Sequence, residues 1–237
     1  MDITYILISM QNDPTGAAVI GDVVGSRWKV RERDWHGELV AALDRVNAQV
    51  PAVQPLAPTV GDEFQGLYAT PGAALRATLL VRLELGLDDD LEIDCRFGVG
   101  YGYYAEIGAG ALPVQAGTAW WSARDAIVTA KEQESVRQPT LRTWYSCEAG
   151  PLDAAPLDAA PLDAGPTNAY LLARDHLVSQ LDARSRRLLL GIIQGRTQVE
   201  LARREGIGQS AVSRNLRRNG AYALMEGADL IDSRGTS

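Results

Sequence analysis

The sequence predicts an α+β protein, a mixed sheet domain followed by an all-helical one. Three observations carry this. Up to about residue 149, short apolar strand-like runs alternate with helical periods. From residue 167 onward only helical periods occur. Between them, Gly150–Pro166 repeats the unit Pro-Leu-Asp-Ala-Ala, with prolines at 151, 156, 161 and 166. Proline at that spacing forbids a continuous helix, and one leucine per unit cannot build a core. The stretch therefore reads as an extended, semi-stiff spacer. The expected division is 1–149, a linker over 150–166, and 167–237, with the two flanking parts folding independently.

In the first part, Ala17–Val24 is a short apolar run that ends in an acid and Gly25, as a buried strand does. Arg31–Val50 carries Leu39, Val40, Leu43, Val46 and Val50 as a helical stripe. Gln54–Val60 and Glu63–Ala69 flank Gly61 and Asp62 and read as a hairpin. Pro71–Leu87 is a second helix, and Leu91–Tyr104 a long strand with glycine at 98, 100 and 102. Alternate glycines strip one strand face, so a helix or ligand can lie close against it. Ala119–Lys131 is a third helix and Thr140–Ser146 a last strand. The order β-α-β-β-α-β, then α-β, is that of a ferredoxin-like sheet with additions.

Composition bounds the function. The chain has 237 residues, of which 46% are apolar and 22% charged, so it can bury a core and is not disordered as a whole. No apolar run reaches the roughly 18 residues of a membrane span. Met1–Met10 is apolar but carries Asp2 and no basic residue, which argues against a signal peptide. Cys95 and Cys147 make neither a disulfide framework nor a zinc site. The expectation is a cytoplasmic protein with no membrane partner. Its net charge of −7 is unevenly spread. Residues 1–150 carry 12 basic and 20 acidic side chains, whereas 183–218 carry nine arginines against Glu200 and Glu205. An acidic body with a short basic module suggests a sensor or catalytic part joined to one that binds polyanions, or else a solvated arginine-rich surface.

Asp22 ends the first strand, just before Gly25 and Ser26, while Asp62 and Glu63 sit at the hairpin turn. With the first strand beside that hairpin, Asp22 and Asp62 converge at one edge. Two carboxylates near a glycine turn suit Mg²⁺ and a nucleoside triphosphate. Carboxylate oxygens hold the ion, and backbone N–H groups near Gly25 and Ser26 cradle phosphate. Asp and Gly also favour turns for local reasons, which is the alternative.

In the last part, Thr197–Leu216 has the pattern of a helix-turn-helix. Ala202 is small where two helices would cross, and Gly206 follows where the first must stop left-handed. Thr197 and Glu200 form a capping box, and Val199, Leu201, Ile207, Val212 and Leu216 supply the shared core. The second helix starts near Gln209 and presents Gln209, Ser210, Ser213 and Arg214 to base edges, with Arg217 and Arg218 toward phosphates. Asn168–Leu181 and Ala183–Gln194 precede it, and Gly220–Ile231 follows. One small module cannot easily bury all these apolar faces, so a homodimer is expected. His36 and His176 fall in different parts and make no catalytic pair. One of Trp120 and Trp121 is expected in the core.

AVIGDVVGSR (18–27), PTVGDEFQGLY (58–68), RFGVGYG (96–102) and AWWSARDAI (119–127), followed by the helix-turn-helix, resemble the SatD family of bacterial proteins. The N-terminal half of that family resembles class III nucleotidyl cyclases. The resemblance implies a nucleotidyl cyclase-like sheet domain with Asp22 and Asp62 as metal ligands and Arg124 in the transition-state arginine role. The lysine and asparagine that such cyclases carry before the hairpin and on the following helix have no counterpart here. The combined expectation is a transcriptional regulator that binds double-stranded DNA and senses a nucleotide. The alternative is a Mg²⁺-dependent nucleotidyl cyclase or nucleotidyl transferase controlled by its helix-turn-helix. A scaffold with both sites inert is the third reading.

Overall fold

The structure, a computed structural model, describes residues 14–24, 35–87, 93–107, 114–134, 137–147 and 161–234. Five strands form one sheet: β1 (Thr15–Val23), β2 (Gln54–Pro58), β3 (Glu63–Tyr68), β4 (Cys95–Tyr103) and β7 (Thr143–Cys147). Their order is β2-β3-β1-β4-β7, antiparallel throughout except for the parallel pair β4–β7. A short ribbon, β5 (Ala105–Ile107) with β6 (Val114–Ala116), is an element that the alternation pattern does not reveal. The long strand expected from Leu91 begins at Cys95, and residues 91 and 92 lie outside the described set.

Side chains alternate across β1. Ala17, Val19 and Val23 face helices α1 (Trp35–Asn47) and α2 (Pro71–Leu85), while Ala18 and Ile20 face helix α3 (Thr118–Gln133). Thr70 caps α2 by accepting from the Ala73 N–H, with Pro71 in its first turn. The glycines of β4 explain how closely α3 sits. A Cβ at Gly98 would strike the Ala123 carbonyl, one at Gly100 the Ala123 nitrogen, and one at Gly102 the Thr118 hydroxyl. The face that the glycines strip is thus occupied by a helix. Trp120, on the sheet-facing side of α3, is buried, and Trp121 is exposed.

The last part is helical: α4 (Ala164–Ser179), α5 (Ala183–Ile193), α6 (Gln198–Glu205), α7 (Gln209–Arg218) and α8 (Ala221–Arg234). Two expectations about the division need correction. Residues 164–166 form the first turn of α4 rather than the end of a linker, because Asp163 caps that turn by accepting from Gly165 N–H. The two parts also share one core. A single buried cluster runs from Val19 and Phe97 through Leu171 and Val178 to Leu188, Leu201 and Leu224. Residues 148–160 of the repeat region lie outside the described set.

Polar groups join the parts as firmly. The outer edge of β7 is covered by side chains of α4. Asn168 accepts from the Tyr145 N–H at 2.8 Å and donates to its carbonyl at 2.9 Å. One turn pair later, Asp175 accepts from the N–H groups of Arg142 at 2.8 Å and Thr143 at 2.6 Å. Asp175 also pairs with two buried guanidiniums, Arg82 at 3.1 Å and Arg174 at 3.0 Å. Arg174 completes its bonds on the Leu75 carbonyl and the Thr78 hydroxyl of α2. A charge this deep is stable only when paired and hydrogen-bonded, which this cluster achieves.

Candidate functional site

Asp22 stands at the end of β1, opposite Glu63 of β3 on one side and Arg96 of β4 on the other. Cross-strand partners share a face, so an acid, an acid and a guanidinium line up on the α3 side of the sheet end. The hairpin between β2 and β3 turns at Gly61, whose φ of 71° is left-handed. That turn returns Asp62 beside β1, where its carbonyl accepts from the Val23 N–H at 3.3 Å. Asp22 and Asp62 therefore meet at the same end of the sheet. Helix α3 roofs the row from its middle to its C-terminal end. Arg124 pairs with Glu63 at 2.9 and 3.1 Å, and Lys131 lies in the field of Asp22.

Arg96 is the residue that the sequence reading passed over. It donates to both oxygens of Asp22, at 3.2 and 3.3 Å, and its other amino group bonds Glu134 at the end of α3. It is 8% exposed, and its Nε is buried with no hydrogen-bond partner among the described residues. A signal for it existed. Arg96 shares the face of Gly98, Gly100 and Gly102, so a charged side chain there has to emerge where α3 ends. Glu134 also bonds Arg142 at 3.0 Å, and Arg142 bonds Asp94 at 2.9 Å, continuing the ion pairs toward Arg82.

Burial raises the Asp22 carboxyl above its ordinary value. Arg96 and Lys131 work against that shift, while Asp62 and Glu63 add to it. A raised value means the folded state holds this proton more tightly than the unfolded chain. The carboxyl thus favours folding below its ordinary value of 3.8, and that contribution fades as pH rises through its folded value. Going from acid to neutral pH, the stability of the wild type relative to Asp22→Asn should fall. Urea unfolding across that range checks it, and parallel pH curves for the two proteins would contradict it.

The donor set bears on metal binding. Among the described residues no group of three or more His, Cys, Asp or Glu could hold an ion. An all-protein cage is therefore not built here. Asp22 and Asp62 nonetheless supply hard oxygens where burial and neighbouring acids disfavour negative charge. Mg²⁺ is commonly held by one or two carboxylates, with substrate phosphates and water completing the shell, so the pair fits that mode. Gly25 and Ser26, expected to cradle phosphate, lie outside the described residues.

The second set of expected residues lies on α6 and α7. Thr197 accepts from the Glu200 N–H at 3.2 Å while Glu200 accepts from the Thr197 N–H at 2.7 Å, which closes the capping box. Gly206 ends α6 with φ 64°, a left-handed stop. Leu201, Ala202, Val212 and Leu216 are buried between the helices. Val199, expected in that core, is 48% exposed because it sits one position off the inward stripe of Leu201 and Ala202. Gln209, Ser210, Arg214, Arg217 and Arg218 are exposed, and Ser213 is half-buried, its carbonyl accepting from Arg217 Nε at 3.3 Å. His36 and His176 are both exposed, on α1 and α4. Among the described residues no helix is long and apolar enough to cross a membrane.

Solved structures similar to part of the chain include a bacterial light-regulated adenylyl cyclase, 13% identical, with a TM-score of 0.44. That match covers 56% of this chain and 43% of that one, so the chain spans less than half of its length. Another is an adenylate/guanylate cyclase/hydrolase from Silicibacter pomeroyi, 21% identical, TM-score 0.39, covering 49% of this chain and 70% of that one. No individual curated protein matches the chain. Residues 17–143, more than half of the sequence, match the pattern that defines the SatD family, and the chain belongs to that family.

Proposed function

We propose that this protein is a nucleotidyl cyclase-like protein that takes a nucleoside triphosphate with Mg²⁺ at the sheet end formed by Asp22 and Asp62. The observation that carries this reading is the meeting of those two acids, one of them held above its ordinary value by burial. The β-α-β-β-α-β order of the first part is read as a ferredoxin-like sheet whose strand ends present them. Mg²⁺, when bound, would supply charge neutralisation for the phosphates. Asp22 and Asp62 would hold it, and Arg96 would yield part of its hold on Asp22 to do so. Arg124, already over the row on Glu63, is the cation best placed to meet charge growing on a phosphate. Gly25 and Ser26 would lie against the phosphates.

The experiment is direct. Each nucleoside triphosphate is added with Mg²⁺ or Mn²⁺, and the melting temperature and the products by mass spectrometry are recorded. A ligand at 100 times its Kd stabilises the native state by about 2.7 kcal/mol, so a clear rise in melting temperature is expected. Asp62→Asn should abolish that rise. A cyclic or nucleotidyl-transfer product would establish turnover at the site. An equal rise in wild type and Asp62→Asn would sink the assignment.

A second reading is favoured by one specific observation, the exposed polar face of α7 across from buried Val212 and Leu216. Read as a helix-turn-helix, α6 and α7 would place Gln209, Ser210, Ser213 and Arg214 at base edges of double-stranded DNA, with Arg217 and Arg218 on phosphates. A homodimer would then span two half-sites. Arg214→Ala should cost about 1–3 kcal/mol at a preferred site and relax its specificity. Arg217→Ala should weaken all sequences alike and reduce the salt slope by about one. Identical losses on specific and random duplexes for both variants would leave only an electrostatic patch.

A further inference from the structure

A cleft of about 630 Å³ opens between the start of α5 and the flank of α7, far in sequence from the acidic sheet end. Its volume is within the range of small-ligand sites, roughly 300–1,000 Å³. Arg214 and Arg218 line it from consecutive turns of α7. Neither guanidinium has an ion-pair partner among the described residues, whereas Arg174, Arg184 and Arg187 of the helical part pair with acids. Two like charges at i and i+4 repel, so this wall lacks a counter-anion.

The opposite wall is ordered by hydrogen bonds. Ser185 is buried, and its hydroxyl accepts from the side-chain amides of Asn215 at 2.9 Å and Asn219 at 3.0 Å. The same hydroxyl and the Ser185 N–H both bond Asp182, the N-cap of α5, and hold its carboxyl below the usual value. Asp182 is therefore charged at neutral pH and lines the cleft with its acceptor capacity only partly used. The cleft thus pairs two phosphate-binding forks with a fixed carboxylate that accepts hydroxyl or amino donors.

We propose that this cleft is a binding site for a small phosphorylated molecule that also carries hydroxyl or amino donors, such as a nucleoside monophosphate. Its phosphate would bridge Arg214 and Arg218, and its donors would bond Asp182. This goes beyond the Mg²⁺–triphosphate reading and does not depend on it. Because Arg214 and Arg218 also belong to the face read as DNA-binding, an occupied cleft would withdraw both cations from nucleic acid.

The test is equilibrium binding of AMP and of inorganic pyrophosphate to the full chain in EDTA, where a site that needs Mg²⁺ is silent. AMP should saturate, and Arg214→Ala with Arg218→Ala should weaken it at least about tenfold, the loss of one charge-assisted hydrogen bond or more. Asp182→Asn keeps the helix cap, since asparagine caps as well as aspartate. It should weaken AMP but not pyrophosphate, which offers no such donors. Asp62→Asn should leave both unchanged, so failure at the acidic sheet end is read separately. Two outcomes overturn the proposal. One is no saturable AMP binding, with duplex DNA alone engaging the two arginines. The other is AMP and pyrophosphate responding alike to Asp182→Asn, as on a plain basic patch.

Discussion

Asp175→Ala is expected to destabilise the protein by about 3–5 kcal/mol, the usual cost of breaking a buried ion pair from one side. The carboxylate is fully buried and serves two guanidiniums, Arg82 and Arg174, that are each 1% exposed. Its removal leaves Arg174 buried without a counter-charge and Arg82 with Asp94 alone. It also strips the acceptor from the N–H groups of Arg142 and Thr143. Urea unfolding followed by far-UV circular dichroism measures the loss. The decline should be global, in one transition, because the cluster ties α2, β7 and α4 together. A change under about 1 kcal/mol would mean that water reaches these groups and that α4 is not packed as described.

Gly100→Val should be the next most damaging substitution, at about 1–3 kcal/mol or more for overpacking. The atoms that a Cβ would meet are the Ala123 nitrogen and the Ala119 carbonyl of α3, which are backbone and cannot rotate away. The helix has to lift from the sheet. It would carry Arg124, Lys131 and the capping Glu134 away from the row at Glu63, Asp22 and Arg96. Loss of stability should thus be accompanied by loss of any nucleotide-induced rise in melting temperature. Near-UV circular dichroism of Trp120, which α3 buries against the sheet, reports the lift directly. An unchanged Trp120 signal with full stability would show that α3 tolerates a larger separation.

Much of this architecture is legible in the sequence because it rests on local signals. The alternation in Ala17–Val24, the capping residues Thr197 and Glu200, the left-handed Gly206 and the glycine ladder of β4 each act within a few residues of themselves. The meeting of Asp22 with Asp62 is also legible, since a strand beside a hairpin leaves few placements. What escapes is non-local. Nothing in Arg174-Asp175 on a helix announces that both charges are buried, because their partners Arg82, Thr78 and Thr143 are far away in sequence. The charges suggest an exposed face, and so the division at the proline repeat looks sharper than the shared core allows. Arg96 was hidden for a related reason. Its neighbours Asp22 and Glu134 come from a strand and a helix end whose registers no single segment encodes.

The cover over the outer edge of β7 has a consequence for how the chain is made. Synthesis delivers residues 143–147 before residues 164–179. Until Asn168 and Asp175 emerge, the Thr143 and Tyr145 N–H groups have no partner but water, and the strand offers an open template to any neighbouring nascent chain. The C-terminal part thus serves the sheet as a late-arriving intramolecular guard. A product released early, at the proline repeat, would carry an almost finished domain with its adhesive side bare. Ribosome stalling or proteolysis in that stretch would therefore yield a sticky fragment, and quality control would meet it as such.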